Sequence, residues 1–236
     1  MSVLYLVRHG QASFGKDNYD RLSPTGVRQA KILAKYFART GKIFDAIYSG
    51  QMERQLKTAQ ELIDFYTKNQ LAVTQPVISS VFNEYDSLTV WKTQIPLMLE
   101  EDPSLSQDLE RVPEDGKAFQ RIFSKVIFRW ISGAYDRPGV PRWRDFKHCI
   151  RKGLEEIMIQ YESKKQLVIF TSGGFISVVT QTALGLSDKK AVEISWQIMN
   201  ASVTRFKYNS QGVVLTGFNE VAHLEMENDI ELLTYR

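Results

Sequence analysis

The chain has 236 residues, of which 43% are hydrophobic, 24% charged and 11% aromatic, a balance that excludes a disordered chain and a fibrous one. Thirty Lys and Arg against 27 Asp and Glu leave +3, too small a surplus for a nucleic-acid footprint, so any anion site has to be local. The lone Cys149 rules out an internal disulfide framework and a cysteine-rich zinc site and reads as a small core residue in a reducing compartment; no apolar run reaches the roughly 18 to 20 residues of a membrane span and the opening meets a charge too early for a signal peptide, so the expected location is cytoplasmic.

Residues 3–7 form a continuous apolar run, short enough for a strand and unbroken enough for one buried on both faces, which stops at Arg8-His9-Gly10. Ser23-Pro24-Thr25-Gly26 offers an N-cap with proline at the first helical position, and Ala30, Leu33, Ala34 and Phe37 repeat at helical spacing, predicting a helix over about 24–39. Residues 44–48 read as a second strand ending at Ser49-Gly50. Leu56, Ala59, Ile63 and Tyr66 supply the stripe of a second helix, and residues 76–82 read as a third strand.

Between 83 and 144 this rhythm breaks. The stretch carries Pro96, Pro103, Pro113, Pro138 and Pro141 and one strongly amphipathic helix with Phe119, Ile122, Phe123, Val126, Ile127 and Trp130, the pattern of an inserted cap. A helix over about 143–161, with Phe146, Cys149, Ile150, Ile157 and Met158 on one face, leads back to a strand at 167–170. Thr171-Ser172-Gly173-Gly174 closes that strand and opens another helix, and residues 203–208 and 213–218 pair as a hairpin around 209–212. The alternation predicts an α/β fold, a three-layer sandwich with a mostly parallel central sheet flanked by helices and a helical cap insertion: one domain over 1–236 with the cap at about 83–144. Ligands of such sheets bind at the carboxyl ends of strands.

Of the three histidines, His9 alone ends a core strand, with Gly10 behind it to permit a tight turn and a close ligand approach. LYLVRHGQ at 4–11, LSPTG at 22–26, YSGQMERQLKTA at 48–59 and FNEYD at 82–86 together resemble the histidine phosphatase superfamily, also called phosphoglycerate mutase-like, over nearly the whole chain. The resemblance implies metal-independent phosphoryl transfer, without a cofactor, through a phosphohistidine on His9 and from a small-molecule phosphomonoester. A neutral imidazole nitrogen can attack phosphorus in line. Arg8 and Arg54 present forks of donors to the nonbridging oxygens, and Glu84, in preference to its neighbour Asp86, is placed as the acid that protonates the leaving oxygen and the base that activates water. His148 reads as structural, and His223 matches a histidine that the family often carries near its C-terminus.

The departure lies in LVIFTSGG at 167–174. The family ends this strand with Ser-His-Gly-Gly, and its histidine is the second of a catalytic pair; here Ser172 offers the phosphate a neutral hydroxyl. A missing donor to a developing oxyanion costs roughly 10²–10³ in rate, while the two glycines keep backbone donors at the helix start for an anion. The leading reading is a phosphomonoesterase. Its alternatives are a catalytically weak or inactive phosphate-binding protein, and a phosphoglycerate mutase-type phosphotransferase, for which residues 85–109 supply only Lys92 as an extra basic group. Specificity is placed in the cap, where Trp91 offers either an aromatic wall for a leaving group or cap packing.

Overall fold

A computed structural model describes residues 1–13 and 20–235. In chain order the elements are β1 (Ser2–Arg8), α1 (Pro24–Arg39), β2 (Ala46–Ser49), α2 (Glu53–Lys68), β3 (Val77–Ile78), α3 (Ser87–Glu101), α4 (Leu105–Arg111), α5 (Gly116–Ile131), α6 (Trp143–Gln160), β4 (Gln166–Thr171), α7 (Gly173–Leu184), α8 (Asp188–Ser195), β5 (Val203–Asn209), β6 (Gly212–Glu220) and α9 (Ala222–Glu225). The strands form one sheet in the order β3-β2-β4-β1-β5-β6. β3, β2, β4 and β1 run parallel, and β5 runs antiparallel to both of its neighbours.

The period of two along each strand divides the core into two faces. Tyr5, Val7, Ile47, Val168 and Phe170 point to one face, where Leu33 and Phe37 of α1 and Leu62 and Tyr66 of α2 close over them. Leu4, Leu6, Leu167 and Ile169 alternate to the other and are fully buried. On that side Tyr48 packs edge-on to Phe82, and Phe82 to Phe175 of α7, which places α7 there. The result is the helix–sheet–helix sandwich expected of the pattern.

α1 starts where local chemistry dictates. The Ser23 hydroxyl accepts from Gly26 N–H at 3.0 Å and Pro24 opens the helix, a cap of about 1 kcal/mol. β2 begins later than residues 44–48 suggest, because the Asp45 carboxylate itself takes Gln166 N–H at 2.8 Å and the Lys165 ammonium at 2.9 Å, so ladder pairing starts at Ala46. The third strand shrinks to the sheet-edge pair Val77 and Ile78, both half-exposed at 51% and 52%. Ser79 takes Val81 N–H on its hydroxyl and turns the chain into a 3-10 turn, Ser80–Phe82.

Contacts divide the chain into two compact units, Met1–Glu84 with Ile150–Arg236, and Tyr85–Cys149. In the second unit α3 and α4 join the expected α5. Ala118, Ile122, Val126, Ile127 and Trp130 of α5 are buried, and Arg129 ties α5 to α3 through Gln94 at 2.9 Å and Glu101 at 2.5 and 2.6 Å. Trp91 stacks on Phe119 and Phe123 at 5.7 and 6.4 Å, so its ring serves packing. Cys149 corrects the sequence reading: it is exposed, as is His148, because the buried stripe of α6 runs through Ile150, Leu154, Ile157 and Met158 and Cys149 lies a hundred-degree step off it. Among the described residues no helix is long and apolar enough to cross a membrane.

Candidate active site

The parallel pair β1 and β4 ends in register at Arg8 and Thr171, and His9 N–H extends the ladder to Thr171 O at 2.9 Å. His9 and Ser172 therefore follow side by side on strands about 4.8 Å apart. Alternation turns both side chains to the face of Val7 and Phe170, which α2 covers. Two consecutive residues in the first turn of α2 meet them: Arg54 Nε donates to His9 Nε2 at 3.0 Å, and Gln55 Nε2 donates to Ser172 Oγ at 2.8 Å. Thr58 fastens this turn to the strand end, accepting Gly10 N–H at 3.0 Å and donating to Arg54 O at 2.7 Å.

His9 is 4% exposed. Its Nδ1 lies 2.7 Å from Gly10 O, a group that only accepts, and its Nε2 faces an Nε–H that only donates. Both partners assign the same tautomer: the proton sits on Nδ1 and the lone pair on Nε2. Desolvation pushes the imidazole pKa well below its ordinary 6.5, and the charges of Arg54 and Arg8 push the same way against the Gly10 carbonyl. His9 is thus a neutral base at neutral pH with its lone pair turned to a cation.

The backbone under His9 is held by a buried polar network. His9 O accepts Asn200 Nδ2 and Ala201 N–H, each at 3.2 Å; Thr234 Oγ1 donates to Asn200 Oδ1 at 2.9 Å. Gln29 Nε2 donates to Thr234 Oγ1 at 2.9 Å and Gln29 Oε1 takes Gln11 N–H at 2.8 Å. The close approach that Gly10 permits is to the chain itself: a Cβ there would stand 2.4 Å from Gly26 O at the start of α1.

Arg54 is buried, and its guanidinium is gripped from the far side by Asp20, whose Oδ1 lies 2.5 Å from Nη1 and whose Oδ2 takes Glu53 N–H at 2.7 Å. Arg8 is half-buried and donates through Nη1 to Ile198 O. Glu84 Oε2 accepts Gly174 N–H at 2.9 Å in the first turn of α7. That donor, expected from the sequence to serve an external anion, is therefore committed to Glu84. Phe82 O, two residues upstream, receives Thr171 Oγ1 at 2.6 Å and Gln55 Nε2 at 3.2 Å, which ties the approach to Glu84 to the same strand end.

Asp86, the competing carboxylate, caps α3 instead, taking Thr89 N–H at 2.9 Å and Thr89 Oγ1 at 2.6 Å. His223 is buried elsewhere, its Nε2 3.1 Å from Ala201 O and its ring 5.4 Å from that of Tyr36. Among the described residues no three His, Cys, Asp or Glu side chains gather to hold a metal ion. Gln55 and Asp20 are the members that sequence patterns do not single out; adjacency to Arg54 is the only signal of Gln55, and Asp20 carries none.

The profile of the histidine phosphatase superfamily (branch 1) matches residues 4–221. Among solved structures, the chain is similar to a phosphoserine phosphatase mutant from Entamoeba histolytica in complex with phosphoserine, at 21% identity over 95% of this chain and 100% of that one, with a TM-score of 0.64. It is similar to a phosphoglycerate mutase from Bacillus anthracis at 14% identity, 97% of each chain covered and a TM-score of 0.60. A mycobacterial glucosyl-3-phosphoglycerate phosphatase aligns at 17% identity over 93% of this chain and 99% of that one, with a TM-score of 0.61. These likenesses carry the fold. With the profile running from β1 to the end of β6, the chain belongs to the histidine phosphatase superfamily, branch 1.

Proposed function

We propose that the protein is a metal-independent phosphomonoesterase in which His9 is transiently phosphorylated. The observation that carries the reading is the His9 tautomer: a buried neutral imidazole with Nδ1–H spent on Gly10 O and the Nε2 lone pair turned to the Arg54 guanidinium. An incoming phosphoryl group replaces Nε2 as the acceptor of the Arg54 donor. Nε2 then attacks phosphorus in line, the bond to the leaving oxygen breaks, and protonated Glu84 gives that oxygen its proton. Because Glu84 Oε2 accepts from Gly174, the transferable proton is carried on Oε1. The imidazolium that forms keeps its Nδ1–H on Gly10 O.

In the second half-reaction Glu84 takes a proton from water, the water oxygen attacks phosphorus, and the P–N bond breaks to restore neutral His9 and release phosphate. Arg54, Arg8 and Ser172 donate to the nonbridging oxygens as charge develops there, and Asp20 holds the Arg54 fork in place. Phosphoserine and 3-phosphoglycerate, bound in related structures, are the first natural compounds to assay.

A second reading, a phosphate-binding protein without turnover, is favoured by Ser172 at the place of the family's second histidine and by the Arg54 Nε–H that covers the Nε2 lone pair. Phosphate release from p-nitrophenyl phosphate, with chelator present, separates the two. Turnover that disappears in His9→Ala supports the phosphatase; equal signals from the two proteins at every pH from acid to neutral favour the binding protein.

A further inference from the structure

We propose that Gln55 is a positioning residue that fixes the polarity of the Ser172 hydroxyl, making it a dedicated proton donor to the phosphoryl group. The inference rests on the phosphoryl site argued above and explains how a neutral serine serves there.

The side-chain amide of Gln55 is fully buried, and two backbone groups of single polarity set its orientation. Met52 N–H can only donate, and it meets Oε1 at 3.3 Å; Phe82 O can only accept, and it meets Nε2 at 3.2 Å. Exchanging the amide oxygen and nitrogen would set donor against donor and acceptor against acceptor. Nε2 therefore faces Ser172 Oγ, at 2.8 Å, as a donor. An amide nitrogen has no lone pair to offer, so Oγ accepts and its own proton is turned to another partner.

Nor is the hydroxyl engaged in holding the helix. Ser172 stands at the N-cap of α7 and makes no side-chain capping bond, and the Gly174 N–H in that first turn goes to Glu84. The chain also makes room for the amide: a Cβ at Gly50, just after β2, would lie 1.9 Å from Gln55 Oε1. The first turn of α2 thus treats the two neighbouring strand ends differently. Arg54 brings a cation to the nucleophile, and Gln55 brings a neutral donor that turns the serine proton outward. Unlike a histidine, this donor does not titrate between pH 5 and 8.

The test uses Gln55→Met, Gln55→Glu, Ser172→Ala and the double variant Gln55→Met/Ser172→Ala, read by kcat and KM on p-nitrophenyl phosphate and by orthovanadate binding in calorimetry. Gln55→Met leaves Phe82 O with its Thr171 hydroxyl donor at 2.6 Å, so no buried carbonyl is orphaned. We expect Ser172→Ala to lower kcat about 10²-fold with little change in KM, and Gln55→Met to lower it about tenfold. The double variant should be no slower than Ser172→Ala alone, because Gln55 acts through the hydroxyl. Gln55→Glu, whose carboxylate draws the serine proton back onto itself, should be slower than Gln55→Met.

Full multiplication of the two losses in the double variant would overturn the proposal, as would loss of the fold in both Gln55 variants, which would assign the amide to the core. Orthovanadate binding reports on the pair whether or not the protein turns over. A wild-type protein that neither turns over nor binds orthovanadate would remove the phosphoryl site and this inference with it; a wild-type protein that does either, with independent Gln55 and Ser172 effects, would remove this inference alone.

Discussion

His9 and His223 are each 4% exposed, and burial lowers the pKa of both, that of His223 to about 4. What differs is the partner of each ring. His223 meets a carbonyl through Nε2 and lies beside the Tyr36 ring, so its shift comes from desolvation opposed by one backbone oxygen. His9 spends Nδ1–H on its carbonyl and turns Nε2 to a guanidinium, with a second arginine adding to the shift. A displaced pKa therefore marks burial and does not by itself mark a nucleophile; what separates the two rings is the tautomer and the charge facing the lone pair.

The contrast breaks most sharply on turnover. His9→Ala should lower kcat by on the order of 10⁴ or more, whereas His223→Gln should leave it within about twofold, measured on p-nitrophenyl phosphate. Arg54→Ala should cost about 10²–10³ in kcat/KM and raise the His9 pKa, read from imidazole NMR, because one of the charges that lowers it is gone. Arg54→Lys restores the charge without the Nε–H fork and should recover less than about a tenth of the lost rate.

Stability against pH sharpens the comparison from the other side. His223 titrates near 6.5 unfolded and about 4 folded, so between those values the unfolded chain binds more protons and stability falls as pH falls. The loss from this group amounts to about 3 kcal/mol across the window and is absent above pH 6.5. His223→Gln should flatten that part of the slope in urea titrations, leaving the His9 contribution. A smaller loss than at Arg54 is expected at Asp20: Asp20→Ala removes the carboxylate that grips the Arg54 guanidinium and should lower kcat/KM about tenfold, with the folding midpoint at pH 7 little changed.

How much of this was legible in the sequence depended on the range of the interaction. α1 is read to the residue because Ser23 and Pro24 act on their own helix. The strand expected over 76–82 is cut short to Val77–Ile78 for an equally local reason, the Ser79 hydroxyl, which an apolar run conceals. Cys149 reads as core from the sequence because it directly precedes the buried Ile150, and one residue along a helix is a step of about a hundred degrees, enough to leave the buried face. α3 escapes because Pro96 reads as a breaker, although Asp86 provides its cap. His9, Arg54 and Glu84 stand in motifs at element ends, where a sequence pattern can single them out. Gln55 acquires its role from Ser172, 117 residues away, and Asp20 from Arg54, 34 residues on, and neither pairing leaves a spacing to find.

The central claim, a covalent intermediate on His9, is tested most directly by trapping it. The Glu84→Gln variant is mixed with excess p-nitrophenyl phosphate, whose leaving group departs without a proton, and quenched in alkali for peptide mass spectrometry. The account predicts one phosphoryl group on the peptide containing His9, stable to base, labile to acid and missing when His9→Ala is added, because without the Glu84 carboxylate water is activated poorly and the intermediate accumulates. Turnover by the wild-type protein with no phosphoryl group on His9 in either protein, or with the label on another residue, would contradict it.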